Sequence, residues 1–295
     1  NGVAALKHAL DLPLLGGGPG DVGIVSIPDL GDRHWKSSLL TDGAYAVPGR
    51  PRQFAMAPSD LTSTHLTALA EVTTFFTVPS MGVAPDDAAN TLPQAIDIFA
   101  FLAGTYRPQP FPAEVDATMA NAGAEVYAAE CSACHGSYDL TTDRPRLTEF
   151  PNWLGDVGTD DLRAEAFDDA LVGSFISGPY ATRIAALRTG KYVAPPLTGP
   201  WASAPYLHNG SVPTIAELLS PNERPTTFWI GGHALDLRRL GIRHIDGFYP
   251  SGYVPFSGSV LFDTREPGKG NAGHAFGANL SPEDKLALIE FLKQL

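Results

Sequence analysis

Apolar residues recur every three or four positions in four parts of the chain, and long stretches rich in glycine and proline separate these parts. That spacing is typical of helices with one buried face. The residues on the predicted apolar faces are Leu66, Leu69, Val72 and Phe76; Ile96, Phe99 and Leu102; Val115, Met119, Ala122 and Val126; and Leu288, Leu292 and Leu295. The pattern therefore predicts helices over about 60–76, 90–104, 113–127 and 281–295.

Capping signals support these helices and add shorter ones between them. The run SPED at 281–284 places a capping serine, a proline at the first helical position and two acids in the first turn. Thr214 begins a capping box, and residues 160–175 and 180–187 are also predicted to be helical. We interpret the remaining segments as ordered loops. The predicted fold class is mainly α, with long ordered loops.

A proline-rich stretch divides the helical pattern into two parts. Three prolines lie between Tyr106 and Pro112 and predict a rigid boundary there. Residues 1–112 are expected to form a smaller irregular helical region, and residues 113–295 the main domain. The 295 residues are enough for one large domain or two small ones.

Both cysteines of the chain lie in one motif, CSACH at 131–135. This is the spacing of a c-type haem attachment site. Two thiols three residues apart on one turn can form thioether bonds to the two vinyl groups of a porphyrin, and the following histidine can ligate the iron. One covalent haem c is therefore predicted at Cys131 and Cys134, with His135 as the proximal iron ligand.

Two other chemistries of a CxxC motif remain as alternatives. A structural zinc site needs two more ligands at a matching spacing, and the chain has no second cysteine pair. A thioredoxin-like redox pair usually follows a strand in a βαβ unit, whereas an alanine-rich helical segment precedes Cys131. Both alternatives therefore fit less well than haem attachment.

The other face of the iron requires a second ligand or an open position. All three methionines precede the motif, so a methionine ligand from the downstream segment is excluded. The histidines that follow the motif are His208, His233, His244 and His274. His274 is preferred as the distal ligand, because glycines on both sides let the backbone approach a flat ring closely. His208 is the next candidate, and an open or water-bound iron remains a further alternative.

The charge of the chain limits the classes of partner. The sequence has 20 basic and 32 acidic residues and a formal net charge of −12. An acidic surface disfavours nucleic acid and anionic membranes, and it is compatible with a basic redox partner protein. No apolar run approaches the about 18 residues of a membrane span. Because haem c is attached outside the cytoplasm, we expect a periplasmic or otherwise extracytoplasmic protein. We also expect that either a leader or more than a leader precedes Asn1 in the full protein.

The helix before the haem motif and the terminal helix resemble the two crossing helices of the cytochrome c fold. In that fold a small residue and an aromatic residue meet the terminal helix, and Gly123 and Tyr127 have the matching spacing. Two unrelated amphipathic helices would show similar stripes and remain the alternative. The resemblance implies a cytochrome c-like haem domain over 113–295.

Two longer motifs are similar to one bacterial enzyme group. The run APPLTGPWASAPYLHNGSVPT at 194–214 resembles the second haem domain of the dihaem cytochrome c peroxidase superfamily, and FDTREPGKGNAGHAFG at 262–277 is most similar to its rubber-oxygenase branch. The resemblance covers about residues 113–295. It implies a distal histidine at the position of His274, substrate chemistry at an N-terminal haem, and electron relay at the C-terminal haem. It allows residues 1–112 to be part of a region between two haems.

The chain departs from this group in two respects. The arginine that follows the leucine of the first motif is replaced by Thr198, so its role toward a haem propionate is not carried over. Arg224, Arg238 and Arg239 are candidate replacements, and solvated arginines are the simpler interpretation. The group also has two CxxCH sites, whereas this chain has one. A calcium ion often lies between the domains of such proteins, but no ligand cluster in the sequence locates one.

Three functions remain open after these observations. The first is the electron-relay haem domain of a dihaem peroxidase or oxygenase-type oxidoreductase, whose reactive haem lies on a further segment or a separate chain. The second is a stand-alone periplasmic electron carrier with one haem. The third is a single-haem peroxidase with an open iron, which a bis-histidine iron would disfavour. We favour the first, which makes the chain part of an enzyme without assigning catalytic residues.

Overall fold

The computed structural model describes residues 7, 11–12, 25–80, 83–142, 145–177, 181–231, 234–244, 254 and 260–295. The α-helices of this part are α1 (Ser63–Ser80), α2 (Pro85–Ala88), α3 (Leu92–Gly104), α4 (Ala117–Glu130), α5 (Ser132–His135), α6 (Leu162–Glu165), α7 (Asp169–Ser177), α8 (Ile215–Leu218) and α9 (Pro282–Leu292). The strands are β1 (Ser38–Leu39), β2 (Tyr45–Ala46), β3 (Ser137–Asp139), β4 (Arg146–Glu149), β5 (Leu154–Gly155), β6 (Ala185–Ala186), β7 (Tyr192–Val193), β8 (Thr227–Ile230), β9 (Leu235–Asp236), β10 (Gly241–Ile242) and β11 (Val260–Asp263).

The prediction of a mainly α protein is wrong. Helix accounts for 37% of the structure and strand for 14%, so the fold is mixed α and β. Within the described residues, the strands form one antiparallel sheet in the order β1-β2-β6 and the antiparallel pairs β3-β4, β5-β7, β8-β11 and β9-β10. These short pairs satisfy backbone donors and acceptors in segments that the sequence pattern assigned to loops.

The four helices predicted from apolar spacing are present as α1, α3, α4 and α9. Side-chain caps fix two of their starts. The carboxylate of Asp116 accepts a hydrogen bond from the Met119 backbone at 3.0 Å, and the hydroxyl of Ser281 accepts one from the Asp284 backbone at 3.1 Å. No helix among the described residues has the length and apolarity to span a membrane.

The helix predicted over 180–187 is absent from the described part of that segment. Ala185 and Ala186 instead form β6, which pairs with β2. The guanidinium of Arg52 donates to the carbonyl of Ala185 at 2.8 Å and holds this strand in place. Alanine is the strongest helix former, but helix propensity amounts to less than about 1 kcal/mol per residue, and these long-range hydrogen bonds override it. The helix predicted over 160–175 is two shorter helices, α6 and α7.

The predicted crossing of the terminal helix with the helix before the haem motif is confirmed. Helices α4 and α9 make the most extensive helix–helix contact among the described elements. Gly123 lies directly against the backbone of Ala287, and the ring centroids of Tyr127 and Phe291 are 5.0 Å apart. Leu292 is buried in the same cluster. A glycine at this position permits the close approach of the two helix backbones.

A second hydrophobic cluster brings together segments that are distant in the sequence. The ring of Tyr45 is 4.4 Å from that of Phe76, 4.9 Å from that of Phe167 and 5.0 Å from that of Phe175. These residues come from both sides of the boundary predicted at 112/113. The boundary itself stays a prediction.

Candidate functional site

The CSACH motif lies where helix α4 ends and the short helix α5 begins. The backbone N–H of His135 donates to the carbonyl of Cys131 at 3.0 Å, so the two cysteines and the histidine share one turn. The chain then reverses at Gly136, where φ is +90° and a side chain would collide with the Glu149 carbonyl. The buried Tyr127 hydroxyl donates to the Gly136 carbonyl at 2.9 Å and fixes the motif to α4.

The environment of the two cysteines disfavours the redox alternative. Both are free thiols, and burial raises the pKa of Cys131 to about 12 and raises the pKa of Cys134. A redox pair needs a thiolate, which a lowered pKa favours. The motif also follows a helix, as the sequence predicted, and not the strand of a βαβ unit.

His135 is held in one orientation by the segment that follows β7. Its Nδ1 donates to the carbonyl of Pro195 at 2.8 Å, which fixes the proton on Nδ1 and leaves the lone pair on Nε2. Burial lowers the pKa of His135, so the neutral ring is favoured. A ligating histidine that donates its other nitrogen to a carbonyl is the usual arrangement at metal centres.

The ring of His274 faces the ring of His135. Their centroids are 6.2 Å apart and the ring planes are inclined by 56°. With metal–imidazole bonds of about 2 Å, two imidazoles on opposite sides of one metal place their ring centroids roughly 6 Å apart. Burial, and then the neighbouring His135, lower the pKa of His274 to about 4, which keeps the ring neutral as metal ligation requires. The pair therefore fits a haem iron between them.

The loop that carries His274 is tightly packed. His274 itself has a φ of +45°, and its backbone N–H donates to the carbonyl of Val157 at 2.7 Å. Gly273 lies against Gly158 so closely that a Cβ would be 2.3 Å from the Gly158 carbonyl carbon. The sequence analysis expected the glycines around His274 to let the backbone approach a flat ring, whereas Gly273 is packed on the backbone of Gly158. Close approach to a haem stays a prediction. The buried Nδ1 of His274 makes no hydrogen bond within the described residues.

Arg224 holds the same loop, a role that the sequence did not reveal. Its guanidinium donates to the carbonyls of Asn271, Gly273 at 2.8 Å and His274 at 3.3 Å. The other donors reach the carbonyls of the segment around α8, including Leu218 at 2.9 Å. Arg224 is therefore neither solvated nor directed at a propionate. Five hydrogen bonds to backbone carbonyls make it a clamp for the His274 loop.

The other candidate histidines have different surroundings. The ring of His208 stacks on Tyr192, with centroids 4.0 Å apart, and its Nε2 is buried without a hydrogen bond in the described structure. His244 Nε2 lies 2.8 Å from a carboxylate oxygen of Glu217. His233 lies outside the described residues. The structure thus brings His274, and not His208, to the face of His135.

The described residues contain no group of three or more histidine, cysteine or acidic side chains arranged to hold a metal ion. The pairing of His135 with His274 is a two-histidine arrangement, which a porphyrin completes by supplying four further ligands. Arg239, a second arginine considered for a propionate, instead pairs with Glu217 at 2.9 Å.

Comparison with known proteins supports a cytochrome of this kind. Residues 190–229 match the family model described as RoxA-like, cytochrome c-like. This segment contains Pro195, which holds His135, and Arg224, which holds the His274 loop. The match supports the rubber-oxygenase-like branch of cytochrome c-like domains.

Two proteins of Sinorhizobium fredii (strain NBRC 101917 / NGR234) are similar in sequence. Uncharacterized protein y4iJ is 46% identical over 114 residues, which cover 35% of this chain and 18% of that protein. Uncharacterized protein y4iM is 29% identical over 214 residues, which cover 62% of this chain and 46% of that protein. The chain therefore spans less than half the length of these relatives. Together with the site geometry, the matched cytochrome c-like segment implies a haem c with an electron-transfer function.

Proposed function

We propose that this chain is the electron-relay haem domain of a dihaem peroxidase or oxygenase-type oxidoreductase. One haem c is attached through Cys131 and Cys134, with His135 as the proximal and His274 as the distal iron ligand. The observation that carries the proposal is the pair of facing imidazole rings, 6.2 Å between centroids, with His135 next to the attachment cysteines. The similarity to RoxA-like cytochrome c-like domains gives independent support.

The two histidines favour relay over substrate chemistry. When bound, haem c supplies one-electron redox chemistry at its iron. His135 and His274 would both ligate the iron of a bound haem, so an oxidant such as peroxide would have to displace a protein ligand before it reached the metal. Histidine in place of methionine also favours a lower reduction potential. Both features suit the transfer of electrons toward another, reactive centre.

The proposed partners are a second haem domain or a separate redox protein. The net charge of −12 favours a partner with a basic surface. Covalent attachment of haem c takes place outside the cytoplasm, and we therefore propose a periplasmic or other extracytoplasmic location. A second haem, its substrate and the assembled oxidoreductase belong to the same proposal.

Substitution of His274 tests the ligand assignment. The purified haem-loaded protein should be low-spin in both oxidation states and should bind carbon monoxide slowly. The His274→Gly variant should be high-spin and should bind carbon monoxide rapidly, because glycine removes the distal imidazole. The His208→Gln variant is the matched control, since it changes a buried histidine that does not face His135. Its spin state should equal that of the parent.

Three results would contradict parts of the proposal in different ways. A parent protein that is already high-spin and binds carbon monoxide at once favours a single-haem peroxidase. A mass without covalently attached porphyrin contradicts the haem c assignment itself. A native protein with one haem per molecule, no second haem protein bound and full electron-carrier activity favours the stand-alone carrier.

A further inference from the structure

Trp153 is a large aromatic side chain without a hydrophobic cluster around it. The residue is half-buried, and it belongs to none of the hydrophobic clusters that the described residues form. Its six-membered ring lies against Gly155, where a Cβ would be 2.2 Å from Cη2 and 2.3 Å from Cζ2 of the indole. Only a glycine leaves room for the ring at that position. Because a tryptophan gains most of its stabilisation from apolar contact, this indole is expected to have a further apolar partner.

The backbone of Trp153 is joined to the segment that holds the proximal histidine. Its carbonyl accepts a hydrogen bond from the backbone N–H of Ala194 at 3.0 Å. The next residue, Pro195, accepts the hydrogen bond from Nδ1 of His135 at 2.8 Å. Two hydrogen bonds and one peptide unit therefore connect Trp153 with the ring of His135.

The same short segment also holds the loop of the distal histidine. The carbonyl of Val157 accepts a hydrogen bond from the backbone N–H of His274 at 2.7 Å. Four residues span at most about 14 Å, so Trp153 lies within that distance of this contact. Its ring overlies Gly155 and is thus directed along the segment toward Val157. The segment 153–157 therefore connects the units of the two facing histidines.

The indole lies on the side of this segment that faces away from the hairpin of β1 and β2. Leu154 pairs with Val193 in the β5–β7 ladder, and both side chains reach Gly43 in that hairpin. Successive residues of a strand point to opposite faces, so Trp153 and Gly155 face away from Gly43. The apolar partner of the indole is therefore expected on the side opposite the hairpin.

We propose that Trp153 packs against the rim of the haem and forms an apolar wall of its pocket between the proximal and the distal ligand. A porphyrin ligated by both His135 and His274 would lie between the two units that the segment 153–157 connects, so this segment would pass beside its rim. The porphyrin edge then supplies the apolar partner of the indole. The inference rests on the proposed attachment of haem c, and it adds a haem contact outside both the CSACH motif and the His274 loop.

Proton NMR of the haem-loaded protein tests this position without altering it. The chain has four tryptophans, and each indole N–H gives its own signal. Low-spin ferric iron shifts the signals of nearby protons, and the effect decreases steeply with distance, so the difference between ferric and ferrous spectra reports proximity to the iron. The Trp153→Phe variant assigns the signal by its disappearance. Trp201→Phe assigns the reference, an indole that donates to the Gln109 carbonyl and packs on Phe111.

The Trp153 signal should shift between the two oxidation states by clearly more than the Trp201 signal. An equal or smaller shift overturns the inference. If Trp153→Phe does not fold, the Phe variants of Trp35, Trp201 and Trp229 assign the remaining signal by exclusion.

A redox titration gives a second, independent readout. The Trp153→Ala variant should have a lower reduction potential than the parent, because water that enters the pocket stabilises the higher charge of the ferric form. Trp153→Phe keeps an apolar ring and should restore most of the parent value. An unchanged potential in Trp153→Ala overturns the inference. A parent without covalent haem, or one that is high-spin when ferric, contradicts the proposed function instead, and the intact mass and the optical spectrum show this directly.

Discussion

Replacing Gly123 by alanine should separate the two helices that support the haem motif. A Cβ at this position would be 1.9 Å from the carbonyl oxygen of Ala287 and 2.9 Å from the Cβ of Phe291. The first contact involves backbone in the middle of α9, so no side-chain rotation relieves it. Overpacking of this kind costs about 1–3 kcal/mol or more, and the higher helix propensity of alanine returns about 1 kcal/mol. We expect a net destabilisation of about 2 kcal/mol.

Gly173 provides a matched control for this substitution. It lies inside helix α7, and a Cβ there would meet no atom within 4 Å. The Gly173→Ala variant should therefore be stabilised by up to about 1 kcal/mol through helix propensity alone. Guanidinium unfolding of the haem-loaded proteins, followed by circular dichroism and by haem absorbance, measures both changes. A Gly123→Ala variant with a midpoint equal to or above that of the parent would refute the assigned packing of α4 on α9.

Three further predictions concern the surroundings of the site. Asn152→Ala should destabilise the protein by about 3 kcal/mol, because the buried amide makes three hydrogen bonds to the backbone of two other segments, at Trp35 and Ser37 and at Phe54. The exposed Asn121→Ala variant is the control, and equal unfolding midpoints would contradict this role. Burial lowers the pKa of His34 to about 4, below its usual 6.5. Between these two values the unfolded state binds a proton that the folded state does not, so the free energy of unfolding should decrease by up to about 1.4 kcal/mol per pH unit as the pH falls from 6.5 to 4. Unfolding measurements on His34→Gln over the same range should lack this part of the pH dependence. Arg224→Gln should destabilise the loop of His274 by about 2 kcal/mol. Optical spectra of the haem-loaded variant should then show a partial high-spin signal, and an unchanged low-spin spectrum would argue against the clamp.

The parts of the site that follow local rules could be predicted from the sequence. The CSACH turn depends on residues within one helical turn, and the helix preceding it depends on apolar spacing. Gly123 and Tyr127 indicated the crossing because a small residue and an aromatic residue four positions apart lie on one helix face. The start of the terminal helix was recognisable from the capping Ser281. In each case the residues that determine the local structure lie within a few positions of one another or on one face of the same helix.

The parts that depend on distant partners could not be predicted in this way. Ala185 and Ala186 have a helical composition, yet they pair with a strand about 140 residues earlier, a partner that no local pattern identifies. Arg224 looked like a solvated arginine, because its backbone acceptors at 271–274 become neighbours only in the folded chain. The four main helices were predicted correctly, but the short strands were not, so the prediction of a mainly α class was wrong.

The two histidines proposed as iron ligands are held in place by different means. His135 is fixed by its own helical turn and by one carbonyl, that of Pro195. His274 has no helix of its own, and its backbone has a φ of +45°; close glycine packing and the Arg224 clamp hold its loop. Loops open locally at a lower free energy than elements packed in the core. Mild destabilisation should therefore release the distal imidazole first, while the thioether-linked side of the haem keeps its proximal ligand. If His274 ligates the iron as proposed, the stability of its loop therefore determines how readily the iron opens to small ligands.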